Sequence, residues 1–242
     1  MINEDLTLKG EFNVGILHGQ RCEMDTDDGH YKGQIVGGQI TGDGIMFFKN
    51  GDKYDGYWLD GALNGKGKYV YANGDTFTGS FKLGKRSGKG LHIKLADSRT
   101  DLGDGTWFYM YEGGYEDDLR WGYGVLKELR GPGEVEGERY IEYSGDWEDN
   151  TFHGKGHMLV YESKLKQIKF EDHDGAFRDG VKDGLGRNLK LKESDMYGDE
   201  DEFRKEVLNS STLEYMDFIG DFINDHPIYH SGVLKTVKVV TP

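Results

Sequence analysis

The chain holds one cysteine, Cys22, and three prolines in 242 residues. A lone cysteine cannot close an internal disulfide, so a reducing compartment is expected. So few prolines, with no Gly-X-Y period, exclude collagen despite abundant glycine. No apolar run approaches the roughly 20 residues that cross a bilayer as a helix. The segment Met1-Ile-Asn-Glu-Asp5 lacks a basic-then-apolar leader pattern. Positive charge is also short: 30 Lys and Arg stand against 44 Asp and Glu, a net charge of −14. That balance, with no basic cluster in the sequence, argues against nucleic acid and an anionic membrane. A cytoplasmic protein is expected.

What is present is glycine and aromatic side chains. The 38 glycines are more than twice the usual share, beside 15 Tyr, 12 Phe and 4 Trp. They recur in one phrase, clearest at Tyr54-Asp-Gly56-Tyr-Trp58-Leu-Asp-Gly61-Ala-Leu-Asn-Gly65-Lys-Gly67. Its first glycine falls at Gly10, Gly33, Gly56 and Gly79, 23 residues apart each time. It falls again at Gly113, Gly145, Gly175 and Gly220. A fixed period of this length means a repeat array. Eight repeats are expected across one array spanning 1–242, near 8–30, 31–53, 54–76, 77–110, 111–142, 143–172, 173–217 and 218–242.

Each repeat reads as a β-hairpin. Tyr54, Gly56 and Trp58 share a strand face, and Asp60-Gly61 suits a two-residue turn. That turn sets Trp58 opposite Leu63, Gly56 opposite Gly65 and Tyr54 opposite Gly67. Glycines then form a trough that neighbouring rings can cover. The structural glycines are Gly33, Gly56, Gly65, Gly67, Gly79, Gly88, Gly90, Gly113, Gly122, Gly124, Gly145, Gly154, Gly156, Gly175, Gly184 and Gly186. An odd period requires an odd turn or a bulge in each repeat. Asn50-Gly51-Asp52 and Asn73-Gly74-Asp75 are the natural sites, placing Phe48 opposite Tyr54 and Tyr71 opposite Phe77. The fold class is all-β: an elongated, twisted, single-layer antiparallel β-meander.

Some repeats deviate. Asp118, Asn150 and Asp225 replace the turn glycine, and the first repeat carries Arg21 where its last glycine belongs. Insertions near 92–108, 127–142, 162–172 and 192–217 should enlarge loops, and Asp199–Asn209 reads as one short helix.

Catalytic and metal signatures are weak. Gly84-Lys-Arg-Ser-Gly88-Lys89-Gly90 lacks P-loop spacing and is better read as a hairpin turn. Asp25-Thr-Asp-Asp-Gly29 is a fragment of a calcium loop in a turn position. The histidines show no zinc spacing, and Cys22 has no partner motif for a nucleophile. No cofactor, metal or catalytic residue is assigned, and the chain is read as not an enzyme.

The aromatic stripe is the candidate site. Tyr31, Tyr54, Phe77, Tyr111, Tyr143 and Phe218 hold its first slot, and Phe12, Trp58, Phe81, Tyr115, Trp147, Phe177 and Phe222 its second. A single-layer sheet has no second sheet over it, so part of this stripe is expected to stay exposed as a partner-binding groove. Trp121, in Arg120-Trp-Gly-Tyr-Gly124, is a further exposed candidate.

The phrase resembles the MORN (membrane occupation and recognition nexus) pattern, Tyr-x-Gly-x-Trp-x-x-Gly-x-x-x-Gly-x-Gly. It matches Tyr54 to Gly67 in full and covers roughly residues 8 to 235. The resemblance implies a non-catalytic scaffold whose groove receives a helix or peptide. The proteins it is similar to include those of cilia, flagella, radial spokes and other cytoskeletal assemblies. The acidic rim would favour a basic partner. Free sheet edges leave a homodimer open. The alternative function is a membrane-associated tether for anionic phospholipids, which the charge disfavours.

Overall fold

The computed structural model describes residues 8–95, 107–130, 139–164, 167–191, 213–228 and 231–239. The chain divides into two compact units, Met1–Leu95 with Glu112–Leu119, and Ala96–Tyr111 with Arg120–Pro242. Both are all-β and built of consecutive antiparallel hairpins, as the repeat phrase requires. The short helix expected over Asp199–Asn209 lies outside the described residues.

The first unit contains β1 (Leu8–Lys9), β2 (Phe12–Asn13), β3 (Ile16–Leu17), β4 (Gly19–Asp25), β5 (Gly29–Val36), β6 (Gln39–Phe48), β7 (Lys53–Leu59), β8 (Ala62–Val70), β9 (Thr76–Lys82) and β10 (Lys85–Leu95). β1 pairs with β4, and β4 to β10 then pair in chain order. β2 and β3 form a separate two-stranded sheet. Strand β11 (Trp107–Glu116) contributes its second half to this unit and its first half to the other. The second unit continues with β12 (Leu119–Arg130), β13 (Arg139–Glu148), β14 (Thr151–Lys164), β15 (Gln167–Arg178), β16 (Val181–Leu191), β17 (Leu213–Ile223), β18 (His226–Pro227) and β19 (Val233–Val239). There β12 to β17 pair in order, and β17 also pairs with β18 and β19.

The glycine register differs from the simplest reading of the phrase. Trp58 opposes Leu63, as the Asp60-Gly61 turn dictates, but Gly56 opposes Gly67 and Tyr54 opposes Tyr69. The shift lies between Gly56 and Trp58, where Gly65 bulges out with φ +61. Gly88, Gly122, Gly154 and Gly184 take the same role, each with positive φ. The bulge moves the last glycine of each phrase directly opposite the first. One unbroken line results in each unit: Gly33, Gly44, Gly56, Gly67, Gly79, Gly90 in the first, and Gly124, Gly145, Gly156, Gly175, Gly186, Gly220 in the second. Cys22, not Arg21, holds the glycine's place in the first repeat, opposite Gly33.

The odd turns fall where expected, but are centred one residue earlier. Tyr54 opposes Met46 and Phe77 opposes Tyr69. Asn50 Oδ1 accepts the Asp52 N–H at 3.0 Å, and Asn73 Oδ1 accepts the Asp75 N–H at 3.0 Å. These side-chain bonds make the asparagine the pivot. Two of the insertions lengthen strands rather than loops. Residues 127–130 pair with 139–142, and 162–164 pair with 167–169. Opposed charges hold these extensions, with Lys127 Nζ 3.2 Å from Glu142 and Arg139 Nε 2.9 Å from Glu162.

Candidate functional site

The bare backbone of the glycine line is roofed by the first-slot rings. A Cβ on Gly67 would stand 2.4 Å from the Tyr54 hydroxyl, and one on Gly124 2.3 Å from that of Tyr111. Each first-slot ring then meets a second-slot ring edge to face. In the first unit the ring centroids run Tyr31–Trp58 5.7 Å, Trp58–Tyr54 5.1 Å, Tyr54–Phe81 5.2 Å, Phe81–Phe77 5.2 Å and Phe77–Tyr115 5.2 Å. In the second they run Tyr111–Trp147 5.1 Å, Trp147–Tyr143 5.3 Å, Tyr143–Phe177 5.3 Å, Phe177–His173 5.2 Å and His173–Phe222 4.9 Å. Perpendicular packing of this kind sets the positive edge of one ring on the negative face of the next.

Five of these rings spend their polar tips on backbone carbonyls inside the fold. Tyr31, Tyr54 and Tyr143 each donate to the carbonyl three residues on, Gln34, Tyr57 and Asp146, at 2.8–3.0 Å. The indoles of Trp58 and Trp147 donate to the carbonyls of Gly44 and Gly124, both at 3.2 Å. Burial pushes the phenols of Tyr31 and Tyr54 up to about 12, so they remain donors at neutral pH.

The hairpin tips carry a second device. At each tip, the N–H of the turn-glycine position donates to a carbonyl of the preceding hairpin: Gly61 to Ile40, Gly84 to Leu63, Asp118 to Arg86, Asn150 to Arg120, Gly180 to Phe152 and Asp225 to Lys182. Where this position is glycine, the partner is apolar. Where it is Asp or Asn, the partner is cationic. Asp118, Asn150 and Asp225 return the bond, each accepting the partner's backbone N–H on Oδ1 at 2.9 Å. Arg86 then lies over Phe77 and Tyr115, and Arg120 over Trp147 at 4.2 Å.

The second unit has one polar stretch on the ring face. His173 takes the first slot and is fully buried, with Lys182, Glu171 and Asn188 also buried around it. The Lys182 ammonium pairs with the Glu171 carboxylate. Burial first, and then the Lys182 charge, bring the His173 imidazole down to about 4. It therefore sits as a neutral ring in an aromatic slot. Among the described residues, no group of three or more His, Cys, Asp or Glu could hold a metal ion.

The structure places ten of the groove candidates inside. Tyr31, Tyr54, Trp58, Phe77, Phe81, Tyr111, Tyr115, Tyr143, Trp147 and Phe177 are each at most 6% exposed. From Tyr31 to Phe177 the stripe is closed, because the rings cover one another and the glycines beneath them, whereas Phe12 of the first repeat stays open at 53%. Trp121 is also accessible, at 40%. Tyr123, 64% exposed, stands two residues along β12 and escaped the sequence reading. Its signal was its pairing opposite Asp146, on the face away from the rings.

A profile of the MORN repeat matches residues 31–53, 54–76, 77–93, 111–127, 143–159 and 173–187. The chain belongs to the MORN-repeat family. MORN repeats are generally interaction repeats, for proteins or membranes, and the family is a repeat scaffold that is typically non-enzymatic. The six matched MORN repeats carry Tyr31, Tyr54, Phe77, Tyr111, Tyr143 and His173 in the first slot, and the unmatched Phe218 likewise covers Gly220 and Gly232. Beyond them, Phe218 and Phe222 extend the ladder by one more edge-to-face contact at 5.3 Å. Comparison with curated proteins returns no match.

Proposed function

We propose that this MORN array is a non-catalytic protein-interaction scaffold in a cytoskeletal assembly, such as that of a cilium or flagellum, and that its partner binds on the face away from the rings. The observation that carries the reading is the exposed pair Trp121 and Tyr123. The buried ladder accounts for the closed stretch of the stripe as framework. These two large aromatics sit in water where folding does not need them, and Trp and Tyr are the side chains that anchor protein interfaces. An extended segment or helix of a partner would lie along β12. The cytoskeletal setting is supported by family resemblance alone.

Proximity labelling in the native cell, with the wild-type chain and a W121A/Y123A double variant, tests the proposal. The expected result is a set of cytoskeletal neighbours for the wild type that the double variant loses while its thermal unfolding is unchanged. An unchanged neighbour set in the variant, or a set without cytoskeletal proteins, overturns it.

A further inference from the structure

We infer that the outward face of β8, β9 and β10 is a docking surface for a short acidic segment of a protein partner. Residues 49–94 carry nine Lys and Arg against four Asp, a net of +5 within a chain of net charge −14. The sequence spaces these lysines apart, and the register gathers them. On β9 the ring face presents Phe77, Gly79 and Phe81, so Thr78, Ser80 and Lys82 point the other way. Lys66 pairs with Ser80 and Lys68 with Thr78, which puts both lysines on that outward face. Lys82 pairs with Lys85 across the next hairpin. Lys89 precedes Gly90, a ring-face residue, and so falls on the outward face as well.

All five lysines are exposed. Lys85 has a carboxylate, Asp117, at 3.8 Å. Lys66, Lys68, Lys82 and Lys89 have none within ion-pair distance among the described residues. Lys82 and Lys85 are like charges directly opposed across the ladder, and the Asp117 carboxylate answers only Lys85. Thr78 and Ser80 add hydroxyl donors between the ammonium groups. Lys66 and Lys68 are two residues apart on one strand, about 6.6–6.8 Å, which is the spacing of alternate side chains on an extended peptide.

Charge also selects the class of anion. Outside residues 49–94 the chain carries a net −19. A membrane or a long nucleic acid reaches beyond the patch and meets that repulsion. A short acidic peptide stays within about one screening length, ~8 Å at physiological salt, of the lysines. The inference rests on the scaffold reading and gives one partner its chemistry, through residues other than Trp121 and Tyr123.

The test titrates the full chain into a fluorescent oligoglutamate, with phosphatidylserine vesicles and a single-stranded oligonucleotide as competing probes. Saturable peptide binding is expected, weakened roughly tenfold or more by K66E/K68E/K82E and by added salt, and unchanged in W121A/Y123A. The milder K66Q/K68Q/K82Q variant, with unaltered thermal unfolding, should show a smaller loss. Failure to bind the peptide, binding indifferent to these substitutions, or preference for vesicles or oligonucleotide overturns the inference. Loss in W121A/Y123A alone would place the acidic segment on Trp121 and Tyr123 and overturn it too. Persistence of peptide binding when proximity labelling fails would overturn only the cytoskeletal reading.

Discussion

Asp118 and Arg86 exchange hydrogen bonds in both directions: the Asp118 N–H donates to the Arg86 carbonyl at 3.0 Å, and its Oδ1 accepts the Arg86 N–H at 2.9 Å. The guanidinium closes the contact, with Nε 3.0 Å from Oδ1 and Nη2 2.9 Å from the Asp118 carbonyl. Asp118→Gly keeps the backbone bond and leaves a half-buried guanidinium short of its carboxylate. It should cost about 1–2 kcal/mol in denaturant unfolding. Adding Arg86→Leu recreates the Leu63 and Gly84 arrangement of the preceding tip and should recover most of that loss. Additive costs in the double-mutant cycle would show the two residues to be uncoupled.

Glycines of the central line and glycines of the turns should tolerate substitution differently. A Cβ on Gly145 would lie 2.5 Å from the Gly156 Cα, a backbone atom that cannot swing away. Gly145→Ala should cost about 3 kcal/mol or more, because the strands must part. Gly61, with φ +80, has nothing within 4 Å of its missing Cβ, so Gly61→Ala should cost only about 1 kcal/mol of backbone strain. Equal losses of thermal stability in the two variants would contradict the close-contact account.

Removing the Tyr54 hydroxyl separates its hydrogen bond from its packing. Tyr54→Phe loses the 3.0 Å bond to the Tyr57 carbonyl and should cost about 1 kcal/mol, since Phe77 fills the equivalent slot without one. Tyr54→Ala uncovers Gly56 and Gly67 and should cost about 3–5 kcal/mol. Calorimetric unfolding of the two variants distinguishes them.

How much of this was legible in the residues varies by level. The hairpins, the Asp60-Gly61 turn and the odd Asn-Gly-Asp turns follow from turn chemistry and from the parity of a 23-residue period. The bulge at Gly65 was not legible, because a glycine offers positive φ anywhere and nothing local says which glycine uses it. That bulge displaced Gly67 to a place opposite Gly56. The closing of the stripe from Tyr31 to Phe177 was not legible for a related reason. Counting layers says that a lone sheet leaves its rings open, but rings packed perpendicular over bare glycine bury each other. Trp121 was picked out on its neighbourhood, whereas Tyr123 and the lysine face needed the register. The reason for Asp118, Asn150 and Asp225 needed the bonds between hairpins.

Acid should weaken the fold through His173. Its imidazole, ordinarily near 6.5, is depressed to about 4 in the folded chain. Above pH 6.5 neither state holds the proton, and the full stability is present. As pH falls from 6.5 toward 4 the unfolded chain takes up the proton first, so stability is lost through that window and the loss levels off below it. The total is on the order of 3 kcal/mol. His173→Phe, which places there the ring that Phe77 and Phe218 hold in the same slot, should flatten that part of the stability–pH curve. A slope unchanged between the two proteins would remove His173 as its cause.

The pairing of tip residue with the preceding hairpin also bears on which look-alike segments can stand in for one another. Asp118 suits Arg86, Asn150 suits Arg120 and Asp225 suits Lys182, whereas Gly61 and Gly84 suit Ile40 and Leu63. Each hairpin tip is therefore matched to one of two classes of predecessor, apolar or cationic. Excising the segment that holds Arg86 would bring Asp118 against an apolar neighbour and strand its carboxylate. The modules with Asp or Asn tips are consequently not interchangeable with those that carry glycine there: exchanging one for the other would be penalised at the tip.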